Sequence, residues 1–463
     1  VASWSSVRNK NYWQSTRLLL EDSSPIGETM ARSAQIALTI LLLLPGYVRA
    51  QKIDETDRAD AREMLRLIAE DVHKNYYDPT RLAEFETRVA EADARIKSAT
   101  MLGQAFAMIG WALDGLHDSH TYFLPPGRIR ILRYGWRMQF IGDRCYVTRV
   151  RPGSDAERKG LKAGDQITSI NGLPLIREDF PKVQYILTVL APQQELKLAV
   201  RGNDSKEKTL IVAASVREIP KIMDMTDPGV FYRKIAQQIS GADRDVVAAK
   251  CVEEGDPLMI CKLREFELDD PEVRRLIGIA RKHRALVLDL RDNPGGAIDV
   301  LEDFLGGFFD HEVKIGERIG RKPMKPLIVK PQKDPFTGKL VVLVDSNSAS
   351  ASEIFARMVQ LEKRGTVVGD HTPGLVMGAQ FYPHRLGAGT YVYFGAAITG
   401  IDLIMTDNQR LEGRGVSPDE LLLPKPDDFR RDEDPVLAHA AESLGVKMTP
   451  AEATKLFPYE WPH

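Results

Sequence analysis

Between residues 258 and 361 the chain switches repeatedly from a short apolar run to a helical pattern, and this rhythm restricts the fold more than any other feature. "LMICKLREFEL" precedes "PEVRRLIGIARKH", "ALVLDLRDN" precedes "AIDVLEDFLGGFF", and "LVVLVD" precedes "SEIFARMVQ". Runs of Val, Leu and Ile without polar alternation suit strands buried on both faces, and the intervening helices supply the cover. The order predicts an α/β sheet with helices on its faces. A chain of 463 residues has room for about three domains, so flanking modules are expected. The net charge of −2 implies no polyanion partner, and no basic stripe points to nucleic acid.

The flanks divide by composition. Met30 opens "MARSAQIALTILLLLPGYVRAQ", in which one Arg, an apolar core from Ile36 to Leu44 and a small residue at Ala50 follow in order. This reads as a secretory signal peptide over 30–50. Its core is short of the roughly 20 residues that cross a bilayer, so no stable span is expected after cleavage. Residues 1–29 are read as an upstream segment that the natural product lacks. An exported protein, periplasmic or extracellular, follows. Residues 51–127 are helix-rich: Met64, Leu65, Ile68 and Val72 recur at helical spacing, and two further helices lead to the loop "LHDSHT". Residues 130–215 turn to short strands separated by glycines, including an Asn-Gly turn in "SINGLPL". Residues 216–257 are charged and irregular, read as linker or lid. The core spans 258–430, and 431–463 is a terminal helix and tail. The three cysteines are read as structural. Cys251 and Cys261 can close a short loop, which export permits. No Cys/His cluster has metal-ligand spacing, and no cofactor is expected.

Three stretches carry chemistry. In "VVLVDSNSASASEIF" a buried strand runs through a tight turn into a helix, whose first N–H groups favour negative charge. That suits a serine nucleophile and its oxyanion. Ser350-Ala-Ser-Glu353 equally reads as a capping box, and spacing leaves both readings open. "DLRDNPGG" ends a strand in glycines that expose backbone amides, suited to an oxyanion hole or to a plain turn. "LEGRGVSPDELL" by itself is a turn-rich strand entry.

Taken in order, "LHDSHT", the "GS-A-GLKAGD-I--ING" frame, "LVLDLRDNPGG", "SASASEIFA", "GTVVGDHTPG" and "EGRGVSPD" resemble the C-terminal processing (tail-specific) peptidase family. The resemblance covers residues 55 to about 445. It implies a ClpP/crotonase-like α/β catalytic core, an N-terminal helical subdomain and an inserted PDZ β-domain. It also implies a polypeptide substrate. By motif, the nucleophile falls on Ser350, with Ser348 and Ser352 structural. The oxyanion site falls on Gly295, Gly296 and the Ala351 amide, with Glu353 and Thr372 as polar support. The carboxylate-binding loop of the PDZ domain falls on Tyr134, Gly135, Trp136, Arg137 and Met138, where an extended peptide adds to a sheet edge.

One departure decides the expected base. The lysine-dependent branch carries "G-E-P-T-F-G-K", with its lysine at the position of Leu375, and leucine accepts no proton. Lys363 lies 13 residues after Ser350, about 20 Å along a helix. A neutral imidazole, with a pKa near ~6.5, is the usual base for serine. The histidine-dependent branch, similar to the tricorn core protease, places it in an "L-D-HT" motif, which falls on His120. His117 and His371 are weaker candidates, His384 is read as structural, and Asp118 belongs to the loop motif. The resemblance puts the orienting acceptor on Glu412. The expectation is an exported serine peptidase working through an acyl-enzyme. The rivals are a non-catalytic binding protein on the same scaffold and a PDZ adaptor.

Overall fold

The structure is a computed structural model that describes residues 53–127, 130–203, 206–218, 248–255, 257–387 and 391–461. The upstream segment, the signal-peptide reading and residues 219–247 of the linker lie outside the described residues.

The central sheet has six strands in the order Ala249–Glu254, Leu258–Leu263, Ala285–Asp289, Lys339–Val344, Thr366–Gly369 and Glu420–Leu421. The first pairs antiparallel and the others are parallel. Every residue of Ala285–Asp289 is buried, as the apolar run Ala285 to Leu288 requires, with Asp289 the one charged member. On one face Met259, Leu286, Leu288 and Val342 pack under helices Asp270–Ala280, Ile298–Gly306 and Ala351–Leu361. On the other, Ile260, Val287, Val341 and Leu343 meet the terminal helices Pro435–Ser443 and Pro450–Leu456. Ala249–Glu254 falls inside the stretch read as linker. Its polar, half-exposed sequence belongs to an edge strand, held to its neighbour by the Cys251–Cys261 disulfide. Cys145 is reduced and buried.

The N-terminal helices Glu55–Asn75, Leu82–Ile96 and Leu102–Asp114 share a core with Phe394, Ala396 and Ile398 of the long strand Val392–Met405. The chain leaving them forms Tyr122–Leu124, which pairs antiparallel with Gly395–Ala397. This segment is therefore stitched into a second sheet of the core, and the "DSH" loop is delivered there. The small β-domain runs Trp136–Ile141, Arg144–Val150, Gln166–Ile170, Glu195–Arg201 and Glu207–Ala213, with Trp136–Ile141 at the sheet's edge. Asn171 and Gly172, both at positive φ, make the predicted turn.

The base of the "RDNPGG" loop is pinned by a buried ion network. Arg291 donates to both oxygens of Asp289 (2.8 Å each) and to both oxygens of Asp434 (2.9 and 2.7 Å). Burial alone would raise the Asp289 and Asp434 carboxyls. Arg291 beside both, with Lys262 beside Asp289, holds them below the usual carboxylate range. Arg291→Ala leaves the partly buried Asp434 without a cation and the buried Asp289 with Lys262 alone, and is expected to destabilise the fold by about 3 kcal/mol, read by urea unfolding at pH 7. Because these folded-state pKa values are depressed, the stability they supply is present above the ordinary carboxylate range and is lost as pH falls from that range through the lower folded-state values.

Candidate active site

Strand Lys339–Val344 ends in the turn that carries Ser350, and helix Ala351–Leu361 begins at the next residue. Ser350 sits at φ 56°, ψ −116°, a left-handed backbone conformation that a non-glycine residue adopts at a cost. Half of the expected capping box forms: Glu353 Oε2 accepts from the Ser350 N–H at 3.0 Å, while the Ser350 hydroxyl makes no cap bond. That hydroxyl stands at the helix N-terminus without a helix partner, as a nucleophile needs. Ser348 and Ser352 are buried; their hydroxyls lie 2.8 Å from the Leu290 carbonyl and 3.1 Å from the Asn293 carbonyl, lacing the serine turn to the glycine loop.

Glu353 is fully buried and accepts four bonds. The Thr372 hydroxyl (2.6 Å) and Gly374 N–H (2.8 Å) reach Oε1; the amides of Ser350 and Leu375 (2.9 Å) reach Oε2. Burial pushes its pKa up to about 7 against these four donors. Thr372 Oγ1 also accepts from the Val416 N–H at 2.6 Å. Leu375, in the slot where a lysine base was sought, is an anchor of this carboxylate through its backbone. Lys363 lies beyond the far end of the helix, exposed, at φ 51°.

The two glycines separate in role. The Asn293 side chain accepts from the Gly295 N–H at 2.8 Å, so that amide is committed to the loop itself. Phe266 accepts from Ala297 and donates to the Gly295 carbonyl, which turns the Gly296 amide away from Phe266. Among the described hydrogen bonds, the amides of Gly296 and Ala351 donate to nothing. A Cβ on Gly295 would lie 2.7 Å from Ser350 Cβ, and one on Gly296 would lie 2.3 Å from the Phe266 carbonyl oxygen, so neither position admits a side chain.

The "DSHT" loop turns on Asp118, whose carboxylate accepts from the amides of His120 (2.9 Å) and Thr121 (2.7 Å) and from the hydroxyls of Thr121 and Thr399. His120 Nδ1 lies 2.7 Å from Ser119 Oγ. Ser119 Oγ donates to Glu412 Oε2 at 2.9 Å, and the Ser119 amide donates to Glu412 Oε1 at 2.8 Å. The hydroxyl has one proton. A carboxylate accepts only, so the proton lies towards Glu412 and Oγ accepts from His120 Nδ1–H. Nε2 is then the free lone pair. Burial lowers the pKa of His120 below its ordinary value, opposed by the nearby Asp118, and favours the neutral ring. Burial raises Glu412, opposed by its bonds from Val376 and Ser119.

The halves meet on one segment. Leu375 N–H reaches Glu353, and the next amide, Val376 N–H, reaches Glu412 Oε2 at 2.7 Å. No hydrogen bond joins Ser350 to His120 among the described residues; nucleophile–base bonds often shorten only as the reaction complex forms. The other histidines are engaged elsewhere or lie apart. His117 Nε2 pairs with Glu84 at 2.8 Å, and His384 pairs with Asp71 and stacks on Phe394. His371 is exposed, and its carbonyl accepts from Arg177.

Ser119 is the member that sequence reasoning missed. The available signal was a hydroxyl immediately before the histidine, beside a remote glutamate already singled out. Of the five residues expected to form a peptide-binding loop, Trp136 is buried, Tyr134 and Met138 pack against the small domain's core, and Gly135 makes a tight turn at φ 73°. Arg137 instead leaves the domain and bonds Asp292 Oδ1 at 2.8 Å, three residues before Gly295. Gln139 on the same strand donates to Asp345 at 2.6 Å, beside the serine turn. Among the described residues no group of three or more His, Cys, Asp or Glu side chains is placed to hold a metal.

Residues 259–422 match the model of peptidase family S41, and residues 146–202 match that of a PDZ domain. The chain is similar to carboxyl-terminal-processing peptidase 1, chloroplastic, of Arabidopsis thaliana. The identity is 24% over 345 residues, 71% of this chain and 64% of that protein. It is also 24% identical over 339 residues to the carboxyl-terminal-processing protease of Picosynechococcus sp., covering 70% of this chain and 74% of the relative. The match thus spans just under two thirds of the Arabidopsis relative's length. In fold it is similar to mature CPAF, with a TM-score of 0.58 at 14% identity, over 81% of this chain and 95% of that one.

Proposed function

We propose, from the match of residues 259–422 to peptidase family S41 and of residues 146–202 to a PDZ domain, that the chain is an exported serine endopeptidase acting on unfolded or C-terminally tagged polypeptides. Ser350 Oγ attacks the peptide carbonyl and His120 Nε2 takes its proton. Glu412, acting through Ser119, holds the ring in the right tautomer and stabilises the imidazolium. The amides of Gly296 and Ala351 receive the oxyanion. His120 returns the proton to the leaving amine, and water releases the acyl-enzyme by the same route reversed. The PDZ edge strand Trp136–Ile141 captures an extended segment. The bonds from that strand to Asp292 and Asp345 support a coupling of capture to the glycine loop and the serine turn. Export rests on the signal-like segment; among the described residues no helix is long and apolar enough to cross a membrane.

The chain Glu412–Ser119–His120 carries this reading, because it ends on an imidazole nitrogen able to accept a proton. A fluorophosphonate probe tests it. Folded protein is expected to label once, on Ser350, and to cleave casein; Ser350→Ala is expected to do neither. Folded wild-type protein that resists the probe and leaves casein intact would return the non-catalytic binding reading.

A further inference from the structure

Two arginines oppose each other on the small β-domain. Arg137 and Arg149 are direct partners on the antiparallel strands Trp136–Ile141 and Arg144–Val150. Like charges at such a pair repel, so something must hold both side chains there. Each has an acidic partner outside the domain. Asp292 of the glycine loop lies 2.8 Å from Arg137, and Asp432 lies 3.2 Å from Arg149. A third part of the chain serves both arginines at once. The half-buried ring of Tyr459, beyond the terminal helix Pro450–Leu456, has each guanidinium 5.2 Å from its centroid. Trp461 packs against that ring edge to face at 5.0 Å. At the far end of the Arg137 contact, Asp292 holds a left-handed backbone at φ 63°, three residues before Gly295. Its N–H donates to Asp345 at 3.0 Å, and Asn347 donates to its carboxylate at 3.1 Å, which joins the glycine loop to the serine turn. A non-glycine residue keeps such a backbone only where its surroundings fix it.

We infer that Tyr459 is a positioning residue for the oxyanion site. Its ring fixes Arg137, Arg137 fixes Asp292, and Asp292 sets the loop that presents the Gly296 amide to Ser350. The inference rests on the peptidase reading of Ser350 and Gly296 given above. The attraction of a cation to a ring needs the aromatic face and not the hydroxyl, so phenylalanine should serve at position 459 and leucine should not.

Amide hydrogen exchange and steady-state kinetics on the full-length protein test it. The amides of Asp292, Asn293 and Gly295 are all hydrogen-bonded. In Tyr459→Leu they are expected to exchange at least about fivefold faster, while those of the buried strand Ala285–Asp289 keep the wild-type rate. On a peptide substrate kcat should fall about tenfold with KM within about twofold of wild type, because a displaced oxyanion donor weakens the transition state and not substrate binding. The acid limb of the pH profile should stay in place, since the His120 side is untouched. Tyr459→Phe should match wild type in exchange and in kcat. Arg137→Gln should repeat the loss, and Tyr459→Leu added to it should cost nothing further. The inference is overturned if the loop keeps its wild-type exchange in Tyr459→Leu, if Ala285–Asp289 speeds up as much, if phenylalanine fails as leucine does, or if kcat of an active enzyme does not move. Wild-type protein without peptidase activity would overturn the function proposed above, and the exchange rates would then decide alone whether Tyr459 holds the loop.

Discussion

His120→Ala is expected to lower kcat/KM by on the order of 10⁴-fold, while His117→Ala stays within about threefold of wild type. The contrast follows from where the two rings go. His120 is tied through Nδ1 to the Ser119–Glu412 pair, which leaves Nε2 for the proton. His117 is drawn off to Glu84 on the second N-terminal helix. The same assignment sets the pH profile. The base must be neutral, so the rate falls as His120 gains a proton. Since burial lowers this pKa, the acid limb of kcat/KM belongs below about 6.5, the ordinary value for imidazole. A rate that instead climbs only above pH ~9 would assign the base to a lysine and remove His120 from that role.

Much of this arrangement was legible because a buried parallel strand has little freedom in composition. The runs around Val287 and Val342 carry no polar residue, and both prove to be covered on two faces. Leucine at position 375 leaves no lysine there, and the imidazole that lies on the Ser119–Glu412 relay is 230 residues before Ser350. The strand Ala249–Glu254 was not legible, because an edge strand exposes charged residues, here Lys250 and Glu253, that otherwise mark a linker. The division between Gly295 and Gly296 was also hidden, since it turns on one side-chain bond from Asn293. Arg137 reads as part of a peptide-binding loop until the neighbouring loop brings Asp292 to it. Ser119 was invisible for a similar reason: its partner is 293 residues away, and a serine beside an aspartate in a turn reads as a cap.

Because Ser119 stands between Glu412 and His120, the proposed acid and base, the two mutants of this chain should differ in a definite order. Ser119→Ala removes the acceptor of His120 Nδ1–H and keeps Glu412 ionised. The ring loses orientation but retains a usable tautomer, so kcat is expected to fall by on the order of 10²-fold with KM little changed. The imidazolium also loses its acceptor, so the acid limb should move to lower pH. Glu412→Gln is the harsher change. The amide nitrogen meets a backbone N–H in either orientation, that of Ser119 at the Oε1 place or that of Val376 at the Oε2 place, and in the second the Ser119 hydroxyl must also turn round. It then donates to Nδ1, which forces the proton onto Nε2 and leaves no base facing Ser350. That inversion is expected to cost on the order of 10⁴-fold in kcat, as wrong-tautomer substitutions do. The double mutant Ser119→Ala/Glu412→Gln has no hydroxyl to reverse, so it should be no worse than Glu412→Gln alone and closer to Ser119→Ala, a non-additivity that independent sites do not show. If the two single effects simply multiply, the hydroxyl does not bridge Glu412 and His120 in the working enzyme.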